Sequence, residues 1–282
     1  MAGTLYIVAT PIGNLEDITQ RALRVLREVD IIACEDTRHT KKLLSHFGIQ
    51  TKTISYHEHN EQQRAAELRE FLGSGKNVAL VSDAGTPLIS DPGFRLVNAA
   101  IAEGIEIVAI PGPAAFVNAL VVSGLPSDQF LFAGFLPARS SARRAKLEAL
   151  REARGTLIFY EAPHRIAATL KDAVEVLGNR AAVVARELTK LHEEVARGTL
   201  SDLAAAFSKQ SARGEMVLVI GSEAAPATET SGEAAPARLI ERVTELEAGG
   251  LTAKEALKKA ARELGIKRAE AYRIMLSQKQ RH

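Results

Sequence analysis

Residues 78–87 are Val-Ala-Leu-Val-Ser-Asp-Ala-Gly-Thr-Pro, an apolar run that ends abruptly in a turn. Short runs rich in Val and Ile and bounded by turn residues are typical of buried strands. The first 112 residues contain five such runs, at residues 5–9, 31–34, 51–55, 78–82 and 105–110. Helical patterns separate them, which predicts a parallel sheet covered by helices. Because ligands bind outside the carboxyl ends of such strands, we expect the five following loops to build one site.

Local patterns indicate where the helices of this half lie. Asn60 with Gln63 resembles a capping box, and Asp91 would cap another helix whose first residue is Pro92. Pro113 would begin a third helix in the same way. Before the second strand, one helix carries an apolar stripe that can cover the sheet, formed by Ile18, Ala22, Leu26 and Val29.

A second set of strand patterns follows, at residues 130–133, 156–160, 181–185, 193–199 and 215–221. The last two of these strand patterns lie close along the chain to the patterns beside them, so we expect a mixed sheet. The predicted fold class is α/β, with two α/β domains over residues 1–112 and 113–221 and a ligand cleft between them. We predict a linker over residues 222–236, which contain no aromatic or large aliphatic residue, and a small helical module over residues 237–282.

Composition indicates a globular protein, because the 282 residues are 46% hydrophobic and 25% charged. No apolar stretch approaches the ~20 residues of a membrane helix, and we expect neither a membrane partner nor a signal peptide. Cys34 is the only cysteine, which excludes an intrachain disulfide and favours a reducing, cytoplasmic location. It could be a nucleophile, but a core residue is the simpler interpretation at the end of a buried strand.

Basic charge is concentrated near the carboxyl terminus. Residues 237–282 contain 11 Lys and Arg and 6 Asp and Glu, a net charge of +5, whereas the whole chain carries +2. The pattern predicts a short helix at 237–247 and two helices around a turn, at 252–264 and 267–276, with Thr252 and Glu255 as a capping box. Such a helix-turn-helix-like module would place Lys267, Arg268 and Arg273 against a nucleic-acid backbone. Packing within a dimer is the alternative.

Three motifs for phosphate or metal binding are poorly supported. Residues 73–76 are Gly-Ser-Gly-Lys, but they lack the first glycine of a P-loop and enter a strand instead of leaving one. The turn after the first strand contains no G-x-G-x-x-G pattern, which argues against dinucleotide binding. His57, Glu58 and His59 could hold a metal, but no Cys or further clustered His accompanies them, so we predict no metal site.

Several loops together resemble one family. The turn at 10–14, the loop at 83–87 and the turn at 111–115 resemble the tetrapyrrole methylase superfamily of S-adenosylmethionine-dependent methyltransferases. Five segments resemble its branch of bacterial 16S ribosomal RNA cytidine 2′-O-methyltransferases of the small subunit, at residues 9–15, 35–38, 56–61, 161–165 and 186–194. The resemblance covers roughly residues 4–221, with the motifs in the family's order, and the basic tail also matches that branch.

This resemblance implies a class III methyltransferase-like arrangement, with S-adenosylmethionine folded in the cleft between the two domains. Glycines would let backbone groups approach the cofactor, and Asp83 would pair with its ammonium or sulfonium charge. The alternative is that Gly85 and Pro87 only shape a turn that Asp83 caps. The implied cofactor-binding residues are Pro11, Asp83, Ala84, Gly85, Thr86, Pro111, Gly112, Ala114, Ala115, Leu136, Tyr160 and Leu188.

Methyl transfer to a ribose 2′-hydroxyl is an in-line displacement, which a base or a cation beside the developing alkoxide would assist. The candidates for this catalytic role are Asp36, His57, Glu58, His59, Glu187 and Lys190. Glu58 could instead pair with a basic neighbour, and either histidine could hydrogen-bond to backbone.

Basic side chains of these loops are candidates for RNA contacts, because an arginine fork fits phosphate oxygens. They are Arg38, His164, Arg165, Arg186 and Lys190, although Arg165 could instead face solvent. Residues 138–154 contain six basic and two acidic residues, which form either a solvated helix face or an RNA-facing flap.

Together these features predict an enzyme that uses S-adenosylmethionine to methylate the 2′-oxygen of a cytidine in 16S ribosomal RNA. Its partner would be this RNA or the small ribosomal subunit, and the resemblance also implies a homodimer. One rival hypothesis is a methyltransferase of the same fold that acts on a tetrapyrrole or another small molecule, against which the basic tail argues. The other is an RNA-binding assembly factor without catalysis, against which the complete set of cofactor loops argues.

Overall fold

A computed structural model describes residues 2–209, 214–224, 234–263, 271, 274 and 275 of the chain. Contacts divide the chain into two units, Met1–Ala225 and Pro226–His282. Each unit has its own apolar core. Among the described helices, none has both the length and the apolar composition that a membrane span requires.

The first sheet is parallel, as the sequence predicts. Its strands lie in the order β3-β2-β4-β1-β5. Every residue of the central strand β4 is buried, which explains its uninterrupted apolar run. Since all the strands run the same way, the five loops that follow them lie along one edge. The strands are β1 (Thr4–Val8), β2 (Ile31–Cys34), β3 (Thr53–Ser55), β4 (Val78–Val81) and β5 (Glu106–Ile110).

Helices cover both faces of this sheet. One face packs against α1 (Gln20–Glu28) and α2 (Thr37–His46), and the other packs against α3 (Glu61–Gly73) and α4 (Phe94–Ala102). The side chain of Thr19 caps α1, after a 3-10 turn at Leu15–Asp17. The predicted stripe is confirmed, because its four members are all buried in the core under α1, namely Ile18, Ala22, Leu26 and Val29.

The second sheet is mixed, as predicted. Its order is β6-β7-β10-β8-β9, in which only β6 and β7 are parallel neighbours. Its strands are β6 (Phe130–Phe135), β7 (Thr156–Glu161), β8 (Arg180–Arg186), β9 (Glu194–Thr199) and β10 (Met216–Ala224). One face packs against α6 (Ser140–Ala149), α7 (Ile166–Leu177) and α8 (Leu200–Ser208), and the other against α5 (Ala115–Ser123).

The core under α5 also brings the two sheets together. Ile12, in the loop after β1, and Leu188, in the loop after β8, both belong to this core. The carboxyl edge of the first sheet therefore faces the second sheet within the first unit, and a cleft is formed there.

The predicted helix start at Asp91 and Pro92 is wrong. α4 begins only at Phe94. Before it, Leu88 and Ser90 adopt left-handed backbone, with φ of 71° and 65°. This loop carries Asp91 away from the helix axis, so its side chain is available to the cleft instead of to the helix amides.

Of the two other predicted helix starts, the one at Pro113 is wrong, whereas the one at Asn60 is confirmed without its side-chain cap. α5 begins at Ala115, and Pro113 precedes its cap. Asn60 does precede α3, but its side chain makes no cap hydrogen bond, because its oxygen accepts from the His57 N–H at 2.8 Å. At Asn60, therefore, a contact within the loop competes successfully with the local capping preference.

Regular structure extends into both ends of the segment predicted as a linker. β10 continues to Ala224 and α9 (Ala234–Ala248) begins ten residues later, so both ends of the predicted 222–236 segment belong to regular structure. Residues 225–233 lie outside the described part of the chain.

In the second unit, α9 packs against α10 (Ala253–Glu263) through an apolar core that includes Ala256 and Ala260. The carboxylate of Glu255 accepts from the N–H and hydroxyl of Thr252, at 3.2 and 2.6 Å. In the helix predicted at residues 267–276, the structure describes Ala271, Ile274 and Met275, and all three are helical. Three predicted RNA-binding residues lie outside the described residues, namely Lys267, Arg268 and Arg273.

Candidate active site

The loops after β1 and β4 are joined by backbone hydrogen bonds. Thr10 N–H donates to the Gly85 carbonyl at 2.8 Å, and Gly85 N–H donates to the Thr10 carbonyl at 3.0 Å. The Thr10 hydroxyl donates to the Ser82 carbonyl at 3.1 Å. Gly85 has a φ of +82°, a conformation that favours glycine. These contacts hold two loops together as one rigid wall.

The turn after β5 completes this wall. Thr86 donates its hydroxyl hydrogen to the Pro113 carbonyl at 3.1 Å. Gly112 lies against the loop after β1, since a Cβ at this position would be 2.8 Å from Cβ of Ala9. The glycine therefore allows a close backbone approach that a larger residue would prevent.

A cavity of about 630 Å³ lies between this wall and the second sheet, a size typical of small-molecule sites. Eight of the predicted cofactor-binding residues line it, namely Asp83, Ala84, Gly85, Thr86, Ala114, Ala115, Tyr160 and Leu188. Pro11 lines an adjoining cavity of about 300 Å³, which shares five lining residues with the larger one, namely Ile12, Asp83, Ala84, Lys190 and Glu215. Pro111, Gly112 and Leu136 lie outside both cavities, and the Leu136 side chain is buried in the core under α7.

One wall of the cavity is acidic. Burial most of all, and then the charges of Glu35 and Asp83, raise the pKa of Asp91 to about 6, although a hydrogen bond from Ser82 partly opposes this rise. The pKa of Glu35 is also raised, chiefly by burial and next by the charge of Asp83. Asp83 itself accepts from the Asp36 N–H at 3.1 Å. Carboxyl groups that repel one another when they ionise favour a cationic ligand, because a positive charge beside them would relieve that repulsion.

The loop after β8 supplies a cation to the same cavity. Lys190 Nζ lies 3.0 Å from Glu187 Oε1 and 3.3 Å from Glu215 Oε2. Burial lowers the pKa of Lys190, but its bonds and charge interactions with Glu187 and Glu215 outweigh this and leave the pKa raised. The bond from Lys190 lowers the pKa of Glu187. Across the cleft, Asn14 N–H donates to the Thr189 hydroxyl at 3.1 Å, which ties this loop to the one after β1.

The remaining predicted catalytic residues are placed outside the two cavities. Asp36 caps α2 and pairs with Arg38 at 2.8 Å, and these bonds lower the pKa of Asp36 to about 2. A carboxylate with so low a pKa is a weak proton acceptor near neutral pH. His57, Glu58 and His59 follow β3, where Glu58 and His59 are exposed. Among the described residues, no group of three His, Cys, Asp or Glu side chains has metal-binding geometry.

Cys34 fits the interpretation as a core residue. It is fully buried under α1 and α2, and burial raises the pKa of its thiol. Its sulfur lies 3.6 Å from the Ile54 carbonyl. A buried thiol with a raised pKa is a poor nucleophile.

The predicted RNA-binding side chains differ in their availability. Arg38 and His164 are exposed. Arg165 pairs with the buried Glu161 at 2.5 Å and donates to the Leu136 carbonyl at 3.2 Å, so it supports the cavity wall. Arg186 pairs with Glu194.

The basic run at 138–154 forms α6 and its flanks. Arg143 is buried and pairs with Asp172 of α7 at 2.6 Å. Arg144 pairs with Glu175, and Arg151 pairs with Glu148 at 3.1 Å. Half of the six basic side chains are therefore neutralised by carboxylates, which favours a packed helix with a solvated face over an RNA-facing flap.

Several cavity residues are absent from the predicted set, chiefly Asp91, Ser90, Phe135, Glu161 and Glu215. Asp91 carries a sequence signal, but Asp-Pro is more typical of a helix start. Phe135 follows Gly134, and a glycine inside a strand pattern indicates a bulge that can re-aim a side chain.

The model of the family "Tetrapyrrole (Corrin/Porphyrin) Methylases" matches residues 4–204. The chain is 48% identical over 275 residues to ribosomal RNA small subunit methyltransferase I of Halalkalibacterium halodurans, covering 96% of this chain and 94% of that one. It is 48% identical over 279 residues to the protein of the same name from Pseudomonas aeruginosa, with 98% and 97% covered. The crystal structure of uroporphyrin-III-C-methyltransferase from Thermus thermophilus has the same fold, with a TM-score of 0.54 and 21% identity over 79% of this chain and 93% of that one. The chain therefore belongs to the tetrapyrrole methylase family of methyltransferases, in the branch of ribosomal RNA small subunit methyltransferase I.

Proposed function

We propose that this protein transfers a methyl group from S-adenosylmethionine to the 2′-oxygen of a cytidine in 16S ribosomal RNA. The observation that carries the proposal is the cavity between the two sheets, which combines an acidic wall with a lysine. The relatives that match nearly the whole chain are named for ribosomal RNA of the small subunit, which supports the substrate class.

The residues of the cavity fit the cofactor. Acidic side chains, above all Asp83, suit its ammonium and sulfonium charges, and the small residues Gly85 and Ala114 let it lie against backbone. S-adenosylmethionine supplies an activated methyl group when bound, so the protein chiefly has to align the attacking oxygen. Three predicted cofactor-binding residues lie outside both cavities, and we propose that they act indirectly. Pro111 and Gly112 would shape the cavity wall, and Leu136 would contact the cofactor through its backbone.

Two cavity residues suit the handling of the 2′-hydroxyl proton. Of the predicted catalytic residues, Glu187 and Lys190 line the cavity, and the Lys190 ammonium can stabilise negative charge on the attacking oxygen. Asp91, with a pKa of about 6, is ionised at neutral pH and can accept the proton. A positioned base of this kind accelerates such a step by ~10²–10⁴-fold.

We also propose that the enzyme is a cytoplasmic homodimer. Four large apolar side chains on α4 and α5 are exposed, namely Phe94, Ile101, Val117 and Val121. Exposed apolar side chains of this size occur at protein interfaces, and each of the two helices carries a pair of them. The positive charge of residues 237–282 supports RNA as the partner of the second unit.

The test is methyl transfer from labelled S-adenosylmethionine to purified small subunits that lack the modification. We expect labelled 2′-O-methylcytidine by nucleoside mass spectrometry, and none with the Gly85→Val variant. Label on a base atom or on another nucleoside would refute the assigned acceptor. Cofactor binding with no labelled RNA would refute the substrate and redirect the search to small molecules.

A further inference from the structure

Strand β6 contains a bulge at the edge of the cavity. Phe132 pairs with Ile158 of β7, whereas Phe135 pairs with Tyr160, so β6 advances three residues while β7 advances two. Gly134 occupies the extra position with a φ of +65°, which favours glycine.

The bulge changes which face of the sheet Phe135 occupies. Side chains alternate along a regular strand, so residues 132 and 135 would point to opposite faces. Here both rings lie against Tyr160, with centroid distances of 4.9 Å for Phe132 and 5.5 Å for Phe135. The row continues inward to Phe116, whose ring stacks on Phe132 at 4.6 Å. An aromatic row therefore runs from the core under α5 to the cavity, and Phe135 is its outer member.

Phe135 remains 56% exposed although it lines the cavity. The loop before α4 approaches the adjacent Gly134 closely, since Ser90 Oγ would lie 3.4 Å from a Cβ at that position. Asp91 of that loop lines the same cavity. An apolar ring face fixed by a second ring, beside a proton-accepting carboxylate, matches the base and the ribose hydroxyl of one nucleotide.

We propose that Phe135 is the platform on which the unstacked pyrimidine base of the target nucleotide stacks. The inference rests on the proposed function, because it assigns a subsite to the RNA substrate. Sequence-specific RNA recognition typically stacks splayed bases on aromatic side chains. The bulge at Gly134 then has a function, which is to turn one more ring into the cleft.

The test compares Phe135→Ala, Phe135→Tyr and the control Phe130→Ala. Phe130 is an exposed phenylalanine of the same strand, at 46%, and it lies outside both cavities. The readouts are kcat/KM for methylation of small subunits, the Kd of S-adenosylmethionine by calorimetry, and the oligomeric state by sedimentation.

We expect Phe135→Ala to lower kcat/KM by about 10- to 100-fold, the range that the loss of one stacked base predicts, with an unchanged cofactor Kd. Phe135→Tyr should retain most activity, and Phe130→Ala should match the wild type. An equal loss of cofactor affinity in Phe135→Ala would overturn the proposal in favour of stacking on the cofactor, and dissociation of a dimer would overturn it in favour of an interface. Unchanged activity in Phe135→Ala would refute the stacking alone, whereas wild-type protein inactive on subunits would refute the proposed function as well.

Discussion

Replacement of Asp91 by Asn should make the protein more stable and less active at the same time. In the folded protein the Asp91 carboxyl is half-buried and lies near Glu35, Asp83 and the Tyr160 hydroxyl, and it resists ionisation. Unfolding exposes it to water, where it ionises freely. The folded state is therefore penalised at every pH above the unfolded pKa of about 3.8, and an uncharged amide of the same shape removes that penalty.

The magnitude follows from the pKa. Raising it from 3.8 to about 6 corresponds to about 3 kcal/mol at high pH, at about 1.4 kcal/mol per pKa unit. Solvent at the open side of the cleft screens the charge, so we expect about half of this, ~1.5 kcal/mol. The sign is that of a raised carboxyl pKa: the penalty is absent below about pH 4, grows between about pH 4 and pH 6, and is complete above.

The assay is urea unfolding of the wild type and Asp91→Asn at about pH 8 and about pH 4, with the exposed Asp128→Asn as a control for the same change in net charge. Asp91→Asn should be more stable at the higher pH, and this advantage should nearly vanish at the lower pH. Its methyl transfer should fall by ~10²–10⁴-fold and lose the decline below about pH 6 that we expect of the wild type. An advantage equal at both pH values, or a variant less stable at about pH 8, would refute the electrostatic reasoning. Full activity would refute the catalytic role.

Three further substitutions test the cleft and its support. Gly85→Val places a branched side chain at a φ of +82°, which costs about 1–2 kcal/mol of stability. The chain should therefore fold, but calorimetry should show no cofactor binding. Wild-type affinity would show that this loop is not part of the cofactor site. Arg143→Ala removes the closest cation from the buried Asp172, which keeps only the Ser140 hydroxyl and Arg144 at 4.0 Å. Urea unfolding should therefore show a loss of about 3 kcal/mol, the lower end of the range for a broken buried pair, and a loss below ~1 kcal/mol would mean that water solvates the carboxylate. Gly13→Ala puts a Cβ 2.4 Å from Lys190 Cγ and should displace the lysine side chain. We expect this displacement to lower the rate of methyl transfer and to leave the cofactor affinity unchanged. An unchanged rate would show that Lys190 takes no part in the chemistry.

Much of the fold follows from local pattern. The five apolar runs of the first half all form strands, and each predicted run overlaps its strand within two residues at either end. The reason is that a buried strand needs apolar side chains over its whole length, and only turn residues can end it. The parallel order then places the five loops at one edge, which is why motifs scattered over a hundred residues indicate a single site.

The direction of individual side chains depends on tertiary contacts. A capping preference is worth only about 1 kcal/mol, so the loop through Leu88 and Ser90 could draw Asp91 into the cavity wall instead of the cap that Asp-Pro predicts. Gly134 hints at a bulge, but only the pairing with Tyr160 shows that Phe135 turns toward the cavity.

By itself the sequence determined three things: two sheets with their helices, the sheet edge at which the loops meet, and the family. Only the tertiary structure decided which charges share the cleft, because an electrostatic environment depends on neighbours that are remote along the chain. Lys190 is held by Glu215, 25 residues away, and Asp91 is perturbed by Glu35 on another loop. No local pattern encodes such pairs, so the choice of proton acceptor follows from packing and burial.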